Sequence, residues 1–185
     1  AVLWNDHGDD KDVVLLGRVL RWTESGIEYE ADPKHRRVIL EEFGMDCNTR
    51  PLTVNGDKDF KPDEEHEMEE LSKEEATKFR GMAARVNFMS LDCPDLQFPS
   101  KQPAREMSKP KLGSWKSLKK IARYLLSRNA VVWKYDWQDE AQFSHTASDS
   151  DWGGTAADRK STSGGIWMIG NHCVKTWCAS QELLP

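Results

Sequence analysis

The sequence has few cysteines and no long apolar segment, and both shortages exclude classes of protein. Its four cysteines, Cys47, Cys93, Cys173 and Cys178, form no C-x-x-C pair, so neither a zinc ribbon nor a disulfide framework is indicated. We therefore expect reduced thiols and an intracellular setting. No apolar run approaches the roughly 20 residues that a membrane-spanning helix needs, so no membrane partner is expected.

The beginning of the chain also lacks an initiator Met. The segment AVLWNDHGDD has no basic stretch followed by an apolar one, so it is not a secretory signal, and we expect a processed or excised piece. At 185 residues the chain can form one domain or two small ones. Cys173 and Cys178 are an odd number of residues apart, which in a regular strand predicts that their thiols point to opposite faces.

The net charge of −5 argues against nucleic-acid binding, but the charges are unevenly distributed. Acidic residues dominate between Glu41 and Glu75, whereas residues 101–128 are strongly basic and contain Glu106 as their single acid. A basic segment of this kind can attract a polyanion, or its lysines can simply solvate a helix face.

The first third of the chain predicts a hairpin followed by a helix. Residues 13–21 form an apolar, β-branched run typical of a strand, and the alternation of 27–31 predicts a second strand after a turn at 24–26. Asp32 and Pro33 then suit the N-cap and first position of a helix, and Gly44 suits its C-terminal end.

A charged stretch, residues 48–71, shows no periodicity and predicts a solvated linker. Ser72 and Glu75 form a capping box for a helix. Its apolar residues follow helical spacing and predict a buried stripe: Ala76, Phe79, Met82, Ala83, Val86 and Met89. In residues 94–107, Pro99 and Pro103 indicate either a broken segment or a helix from which the sequence has drifted.

A strongly amphipathic helix follows Gly113-Ser114. Its apolar face is formed by Trp115, Leu118, Ile121, Ala122, Leu125 and Leu126. The opposite face carries Lys116, Lys119, Lys120 and Arg123. Four successive strands are then predicted at 130–137, 142–152, 164–171 and 172–180, and their short connections favour one antiparallel sheet.

One long motif carries a resemblance to a known family. The segment SDSDWGGTAADRKSTSGG (148–165), a hydrophobic strand and VKTWCASQ (174–181) together resemble the opening of the ribonuclease H of copia-type LTR-retrotransposon Pol polyproteins. Residues 15–45, 79–96 and 115–126 are similar, in order, to the end of the polymerase palm and to helices that precede ribonuclease H. Cys93 departs from the family pattern, where an Arg is usual.

The resemblance implies an α+β fold, with a polymerase-derived hairpin and helices followed by an incomplete ribonuclease H-like antiparallel sheet. It implies four regions: the end of the reverse transcriptase palm and thumb entry (1–47), an acidic linker (48–71), a helical thumb- or connection-like region (72–129) and a truncated ribonuclease H-like region (130–185). The expected partners are an RNA–DNA hybrid or other nucleic acid and the remainder of the Pol polyprotein. The implied compartment is a cytoplasmic particle or the nucleus.

The same resemblance assigns chemistry to particular residues. Asp149 matches the family's first metal-binding, catalytic aspartate; without the family, it would be interpreted as a strand-end aspartate that caps a turn. Asp151 is predicted on the same strand face two residues later, where it can help to hold Mg²⁺. Hydrolysis by two metal ions needs several carboxylates, and the family's others follow the position of Gln181. Glu182 does not belong to that motif, so we expect this chain alone to be inactive.

The loop at 158–163 allows two interpretations. Arg159 and Lys160 can pair with phosphates while Ser161, Thr162 and Ser163 reach backbone oxygens or a 2′-hydroxyl. Alternatively the loop is a surface turn held by its own hydroxyl groups. Near the N-terminus, Gly8-Asp9-Asp10 is similar to a viral polymerase motif, but the strand at Leu16-Gly17 follows too soon, so we expect no polymerase site.

The sequence thus predicts a fragment of a reverse transcriptase/ribonuclease H polyprotein whose parent copies RNA into DNA and hydrolyses RNA in RNA–DNA hybrids. The alternative is a non-catalytic nucleic-acid-binding or interaction module derived from a retroelement. The prolines, Cys93 and the acidic insertion favour such a drifted copy.

Overall fold

Three strands, four helices and then four more strands follow one another along the described chain. The computed structural model describes residues 10–53, 68–128, 130–153 and 159–181. Within these ranges the strands are β1 (Asp12–Leu15), β2 (Arg18–Trp22), β3 (Gly26–Glu30), β4 (Val132–Asp136), β5 (Ser144–Ser150), β6 (Thr162–Ile169) and β7 (His172–Ser180). The helices are α1 (Pro33–Glu42), α2 (Lys73–Met89), α3 (Pro94–Glu106) and α4 (Ser114–Leu126). The predicted α+β class is confirmed.

The chain divides into two compact units. The strand unit combines residues 1–32 with 130–185, and the helix unit comprises residues 33–129. The strand unit contains a four-stranded sheet of order β1-β2-β3-β4 and a three-stranded sheet of order β5-β6-β7. The region boundaries predicted from the family, after residues 47, 71 and 129, stay predictions.

The predicted single strand over residues 13–21 is wrong, because a tight turn divides it. β1 and β2 form an antiparallel hairpin in which Leu15 pairs with Arg18. The turn residues Leu16 and Gly17 have φ angles of 51° and 81°. Gly17 suits this left-handed conformation, whereas a positive φ at a branched residue such as Leu16 is uncommon. The continuous apolar run therefore concealed a two-residue turn.

The predicted hairpin of β2 and β3 is confirmed, but β4 lies in an unexpected place. β4 pairs with β3, with Gly26 opposite Asp136, and does not join the sheet of β5, β6 and β7. A Cβ at position 26 would overlap the backbone of Tyr135, so the close approach of these strands requires glycine here. Trp137 packs on Trp22 with ring centroids 4.6 Å apart.

The second sheet contains an irregularity in β7. Trp167 pairs with Lys175, whereas the next residue of β6, Met168, pairs with Cys173. Val174 is therefore an extra residue in β7, which is a β-bulge. Such a bulge offsets the alternation of side chains by one position along its strand.

This bulge makes the prediction for the two thiols wrong. Cys173 pairs with Met168 and Cys178 pairs with Gly164. Met168 and Gly164 are four residues apart in β6 and so lie on the same face. Cys173 and Cys178 therefore share that face, although their odd separation predicted opposite ones.

The side chain of Gln138, which follows β4, and a backbone carbonyl of β4 hold the turn between β6 and β7. Gln138 Oε1 accepts a hydrogen bond from Asn171 N at 2.9 Å, and its Nε2 donates to Ile169 O at 3.2 Å. The same amide lies 3.1 Å from His172 Nδ1, while His172 Nε2 lies 2.7 Å from the carbonyl oxygen of Asp136. Since Asp136 O can only accept, the ring carries its proton on Nε2. These contacts join the two sheets of the strand unit.

The helix unit contains nearly all of the described core. The predicted stripe of α2 is buried throughout, and the capping box is confirmed: Glu75 N donates to Ser72 Oγ, and Ser72 N donates to Glu75 Oε2. In α4, Leu118, Ile121, Ala122 and Leu125 are buried, whereas Trp115 and Leu126 are half-buried. Trp115 packs edge-on against Phe79 with ring centroids 5.6 Å apart.

The helix α3 is continuous through both internal prolines, so the predicted interruption of this segment is wrong. Pro103 is fully buried and Pro99 half-buried. Leu96 is buried with them, and Tyr124 of α4 donates a 2.7 Å hydrogen bond to Asp95 Oδ2. Tertiary packing against α2 and α4 offsets the missing backbone hydrogen bonds.

Both ends of the predicted linker pack on the helix unit; residues 54–67 lie outside the described ranges. Leu52 N donates to Arg123 O at 3.1 Å, and Leu71 N donates to Pro110 O at 3.0 Å. Glu70 forms an isolated antiparallel bridge with Lys111. The described ends are therefore fixed by backbone hydrogen bonds, which a purely solvated linker would lack. None of the described helices is long and apolar enough to cross a membrane.

Candidate functional site

Asp149 lies near the end of β5, as the sequence predicts. It pairs with Gly164 of β6, and its residue is exposed. Its Oδ1 accepts a 2.8 Å hydrogen bond from the backbone N–H of Ser150. That bond is to the adjacent residue and closes no turn, so the turn-capping interpretation gains no support.

Asp151, one residue beyond β5, ties the ends of two strands together. Its N–H donates to Thr162 O at 3.0 Å, and its Oδ1 accepts from Thr162 N. One carboxylate oxygen is thus committed to holding β5 against β6. A metal-binding role for Asp151 stays a prediction.

The loop after Asp151 is held by its own polar groups; the Asp158 that begins the predicted loop lies outside the described residues. Ser161 Oγ accepts a hydrogen bond from Gly153 N at 2.9 Å, and Ser161 O accepts one from Gln181 N at 2.8 Å. Gln181 Nε2 and Ser163 Oγ are 2.6 Å apart. For Ser161 these bonds favour the surface-turn interpretation.

The two basic residues of this loop differ in exposure. Arg159 is exposed and has a φ of 55°, a left-handed backbone conformation that is uncommon for a residue other than glycine. Lys160 is half-buried, as is Thr162. Contacts of Arg159, Lys160 and Thr162 with nucleic acid stay predictions.

The described residues do not assemble a metal centre. Nowhere among them do three or more His, Cys, Asp or Glu residues come together in a way that could hold an ion. Two Mg²⁺ ions about 4 Å apart need several carboxylates in one place. Asp149, with Asp151 committed in part to Thr162, does not meet that requirement, so no catalytic step follows from these two carboxylates.

The four predicted basic residues of α4 lie on one face of the helix. Lys116, Lys119, Lys120 and Arg123 have the spacing i, i+3, i+4, i+7, and the buried residues of α4 lie on the other side. Lys116 and Lys119 are exposed, whereas Lys120 and Arg123 are half-buried. Arg123 Nε donates a 2.9 Å hydrogen bond to Arg50 O, so this residue also fixes the segment before residue 53.

The predicted site residues therefore fall into two groups. Lys116, Lys119, Lys120 and Arg123 belong to the helix unit, while Asp149, Asp151 and residues 159–162 belong to the strand unit. Within the strand unit, Asp151 and Thr162 are brought into direct contact.

The strand register reveals a further set of residues to which the sequence analysis assigned no role. Directly paired residues of antiparallel strands share a face. One face, here called the tryptophan face, comprises Ser144, Thr146, Ser148 and Ser150 of β5, Ser163, Gly165, Trp167 and Ile169 of β6, and His172, Lys175, Trp177 and Ala179 of β7. Asp149 lies on the opposite face. The alternation of β6 could have indicated this grouping, but only knowledge of the bulge assigns Lys175 and His172 correctly.

The relatives found among known proteins include two retrotransposon polyproteins. No protein-family model matches the chain, and no solved structure does. The chain is 27% and 26% identical, over 57% of its length, to retrovirus-related Pol polyproteins from the Arabidopsis thaliana transposons RE2 and RE1. It spans only 7% of the length of those two polyproteins.

A third relative is a shorter protein. The chain is 23% identical to an uncharacterized mitochondrial protein of Arabidopsis thaliana, over 91% of the chain and 67% of that protein. Two of these three relatives carry the name that the motifs around Asp149 and Trp177 predicted. The resemblance of this chain to the Pol polyproteins of retrotransposons is therefore confirmed.

Proposed function

We propose that this chain is a stretch of a retrotransposon Pol polyprotein that runs from the end of the reverse transcriptase into the first strands of its ribonuclease H. The parent would copy RNA into DNA and hydrolyse the RNA of RNA–DNA hybrids with two Mg²⁺ ions, inside a cytoplasmic particle or the nucleus. The order of the motifs along residues 15–181 and the similarity to two Pol polyproteins support this proposal.

Within that parent, this chain would contribute contacts to the nucleic acid. The observation that carries this role is the division of α4 into a buried apolar face and a basic face. A row of lysines on a helix anchored by its other side attracts phosphates without any base contact. Binding should therefore be weak, sensitive to salt and indifferent to sequence.

A binding experiment tests this role. Because Arg123 also holds Arg50 O, the sharpest variant removes only the two exposed lysines, as Lys116→Ala/Lys119→Ala. Its affinity for an RNA–DNA hybrid at low salt should fall, and the slope of log K against log salt should decrease by about 0.9 for each phosphate that the variant no longer neutralises. Fluorescence anisotropy with a labelled hybrid measures both quantities.

A matched control changes the same number of lysines on another helix. Lys73 and Lys78 are exposed on α2, so Lys73→Ala/Lys78→Ala alters the net charge equally. Only the α4 variant should change the salt slope. Equal reductions in both variants would show that general charge, and not the face of α4, attracts the hybrid.

Hydrolysis gives an independent test. Mg²⁺ should elicit no cleavage of an RNA–DNA hybrid by this chain, because its described carboxylates form no metal cluster. When the chain is joined to the remainder of a Pol polyprotein, cleavage should appear and Asp149→Asn should abolish it. Cleavage by the chain alone that Asp149→Asn abolishes would refute the proposed dependence on the remainder.

A second candidate function is a non-catalytic module derived from a retroelement. The similarity of the chain to most of one shorter, separate protein favours it. In that case hybrid binding through α4 would be retained, but joining the chain to the remainder of a Pol polyprotein would restore no cleavage.

A further inference from the structure

The tryptophan face of the β5–β7 sheet combines indole rings, a lysine and hydroxyl groups on one surface. We propose that this face binds single-stranded nucleic acid by stacking bases on Trp167 and Trp177, with Lys175 near a phosphate. Sheets that bind single-stranded RNA present aromatic side chains on adjacent strands in this manner, and each aromatic ring supports one base.

The indole ring of Trp177 lies directly against a glycine. Gly165 is its direct partner in β6, and a Cβ at position 165 would overlap atoms Cζ2, Cε2 and Cη2 of the indole. The six-membered part of the ring therefore covers the strand where a side chain is missing. A ring fixed against the sheet loses little further freedom when a base stacks on it, which favours binding.

Trp167 lies next to this ring in the register. It pairs with Lys175, two residues before Trp177, so the two tryptophans occupy diagonal positions about 7–8 Å apart. Trp167 is 38% exposed and Lys175 is exposed. The two rings thus offer neighbouring stacking positions beside one cation.

The charge of the two faces favours a polyanion on this one. The strand residues of the tryptophan face include no aspartate or glutamate, whereas Asp149 lies on the other face. The β5 part of the face consists of Ser144, Thr146, Ser148 and Ser150, all exposed, whose hydroxyl groups can donate hydrogen bonds to phosphate or sugar oxygens.

The same composition disfavours a protein partner. The centres of protein–protein interfaces are depleted in serine and in lysine. Here the four hydroxyl side chains of β5 and Lys175 lie on the same face as the two indoles. A purely apolar partner would remove water from these polar groups without replacing their hydrogen bonds. Nucleic acid satisfies both the aromatic and the polar groups.

Affinity for oligothymidylate, measured by fluorescence anisotropy on the full chain, tests the proposal. Trp167→Ala should weaken binding roughly five- to a hundredfold, which is the usual effect of removing one aromatic ring on which a base stacks. Trp167→Phe should retain most of the affinity, because an aromatic ring is kept. Phe143→Ala is the matched control: Phe143 is 63% exposed and its ring lies 6.1 Å from that of His145, on the face opposite the tryptophans.

Three results would contradict the proposed binding of nucleic acid to the tryptophan face. Unchanged oligothymidylate binding by Trp167→Ala, or an equal reduction in Phe143→Ala, would exclude stacking on this face. A change in self-association by Trp167→Ala, with no change in oligothymidylate affinity, would assign the face to contacts between copies of the chain instead.

This inference is independent of the basic face of α4. Lys116→Ala/Lys119→Ala should leave the effect of Trp167→Ala on oligothymidylate binding intact. Absence of the α4 effect with retention of the Trp167 effect would overturn the proposed role of α4 alone, and the reverse result would overturn this inference alone.

Discussion

At the scale of single residues, the clearest constraint is the contact between Gly165 and Trp177. A methyl group at position 165 would overlap the indole of its partner, whereas a Cβ at Gly164 would meet only Trp177 O at 3.8 Å. We expect Gly165→Ala to lower the free energy of unfolding by about 1–3 kcal/mol, the usual cost of overpacking. Urea denaturation followed by tryptophan fluorescence measures this change.

Gly164→Ala is the matched control in the adjacent position. Neither glycine has a positive φ, so alanine costs no backbone strain at either position and loses less entropy on folding. Gly164→Ala should therefore leave the stability unchanged or raise it slightly. Similar destabilisation by both substitutions would show that the strand, and not the indole, rejects a side chain.

Cys93 provides a residue-scale prediction about reactivity. Burial, together with the nearby Asp95 and Asp92, raises the pKa of its thiol from 9.0 to about 12. Because only the thiolate attacks a disulfide reagent, Cys93 should stay unmodified in the folded protein at pH 8, while the exposed Cys47 reacts. Mass spectrometry after a short treatment with an aromatic disulfide distinguishes the two positions.

The raised pKa also has a consequence for stability. The unfolded chain releases the Cys93 proton near pH 9 and the folded protein only near pH 12, so this contribution to stability is complete below pH 9 and disappears as the pH rises toward 12. Cys93→Ala should show a shallower decrease of stability over that range. Modification of native Cys93 as fast as Cys47 would contradict the assigned burial.

At the scale of elements, the start of α2 depends on a reciprocal cap. Ser72 Oγ accepts from Glu75 N and donates to Glu75 Oε2 at 2.7 Å. This donation, together with that from Ser72 N to the same carboxylate, lowers the pKa of Glu75. Ser72→Ala should cost about 1 kcal/mol in the free energy of unfolding. The lowered pKa means that the contribution of Glu75 is present above its unfolded pKa and disappears in acid.

A neighbouring substitution serves as the control for the cap. Thr77 is exposed in α2, and its hydroxyl group donates to Lys73 O within the same helix. Thr77→Ala should not destabilise the protein, because alanine has the higher helix propensity. If Ser72→Ala and Thr77→Ala have equal effects on urea denaturation, the cap is not what stabilises the start of α2.

The two prolines inside α3 lead to a second prediction at the scale of elements. Pro99 and Pro103 each remove a backbone donor, but Pro103 is fully buried and Pro99 is half-buried. Pro99→Ala should raise the free energy of unfolding, by up to about 3 kcal/mol, because the missing hydrogen bond returns. Pro103→Ala should gain less, since it also leaves a cavity. A decrease of stability in Pro99→Ala would indicate that its ring packing dominates.

These elements show which features local sequence predicts. The stripe of α2 and the Ser72–Glu75 box depend on neighbours within one helix, so their spacing was sufficient. The pairing of Gly26 with Asp136 joins residues far apart in the chain, and no local pattern encodes it. The turn at Leu16-Gly17 had one glycine as its signal inside a continuous apolar run.

The two candidate binding surfaces also differ in how far the sequence predicts them. The basic face of α4 follows from helical periodicity and was predictable in full. The tryptophan face was not, because the extra residue Val174 changes which side chains of β7 lie beside Trp167. A bulge arises from pairing between strands, so the sequence of β7 alone does not show it.

At the scale of the whole molecule, the described core is concentrated in one unit. Every buried hydrophobic residue of the described ranges except Ala31 belongs to residues 33–129. The strands β5, β6 and β7 contain no buried residue, and every residue of β5 is exposed. Since burial of apolar surface is the main stabilising contribution to folding, the two units should differ in stability.

Hydrogen exchange followed by mass spectrometry measures that difference directly. After correction for intrinsic rates, amides of α2 and α4 should exchange at least about tenfold more slowly than hydrogen-bonded amides of β6, because opening β6 exposes little apolar surface. Leu118→Ala, at a fully buried position, should speed exchange in the helix unit. Equal protection of β6 and α4 in the unmodified chain would mean that both units open in one cooperative step, and that the half-buried faces of β5–β7 stabilise the sheet more than their exposure indicates.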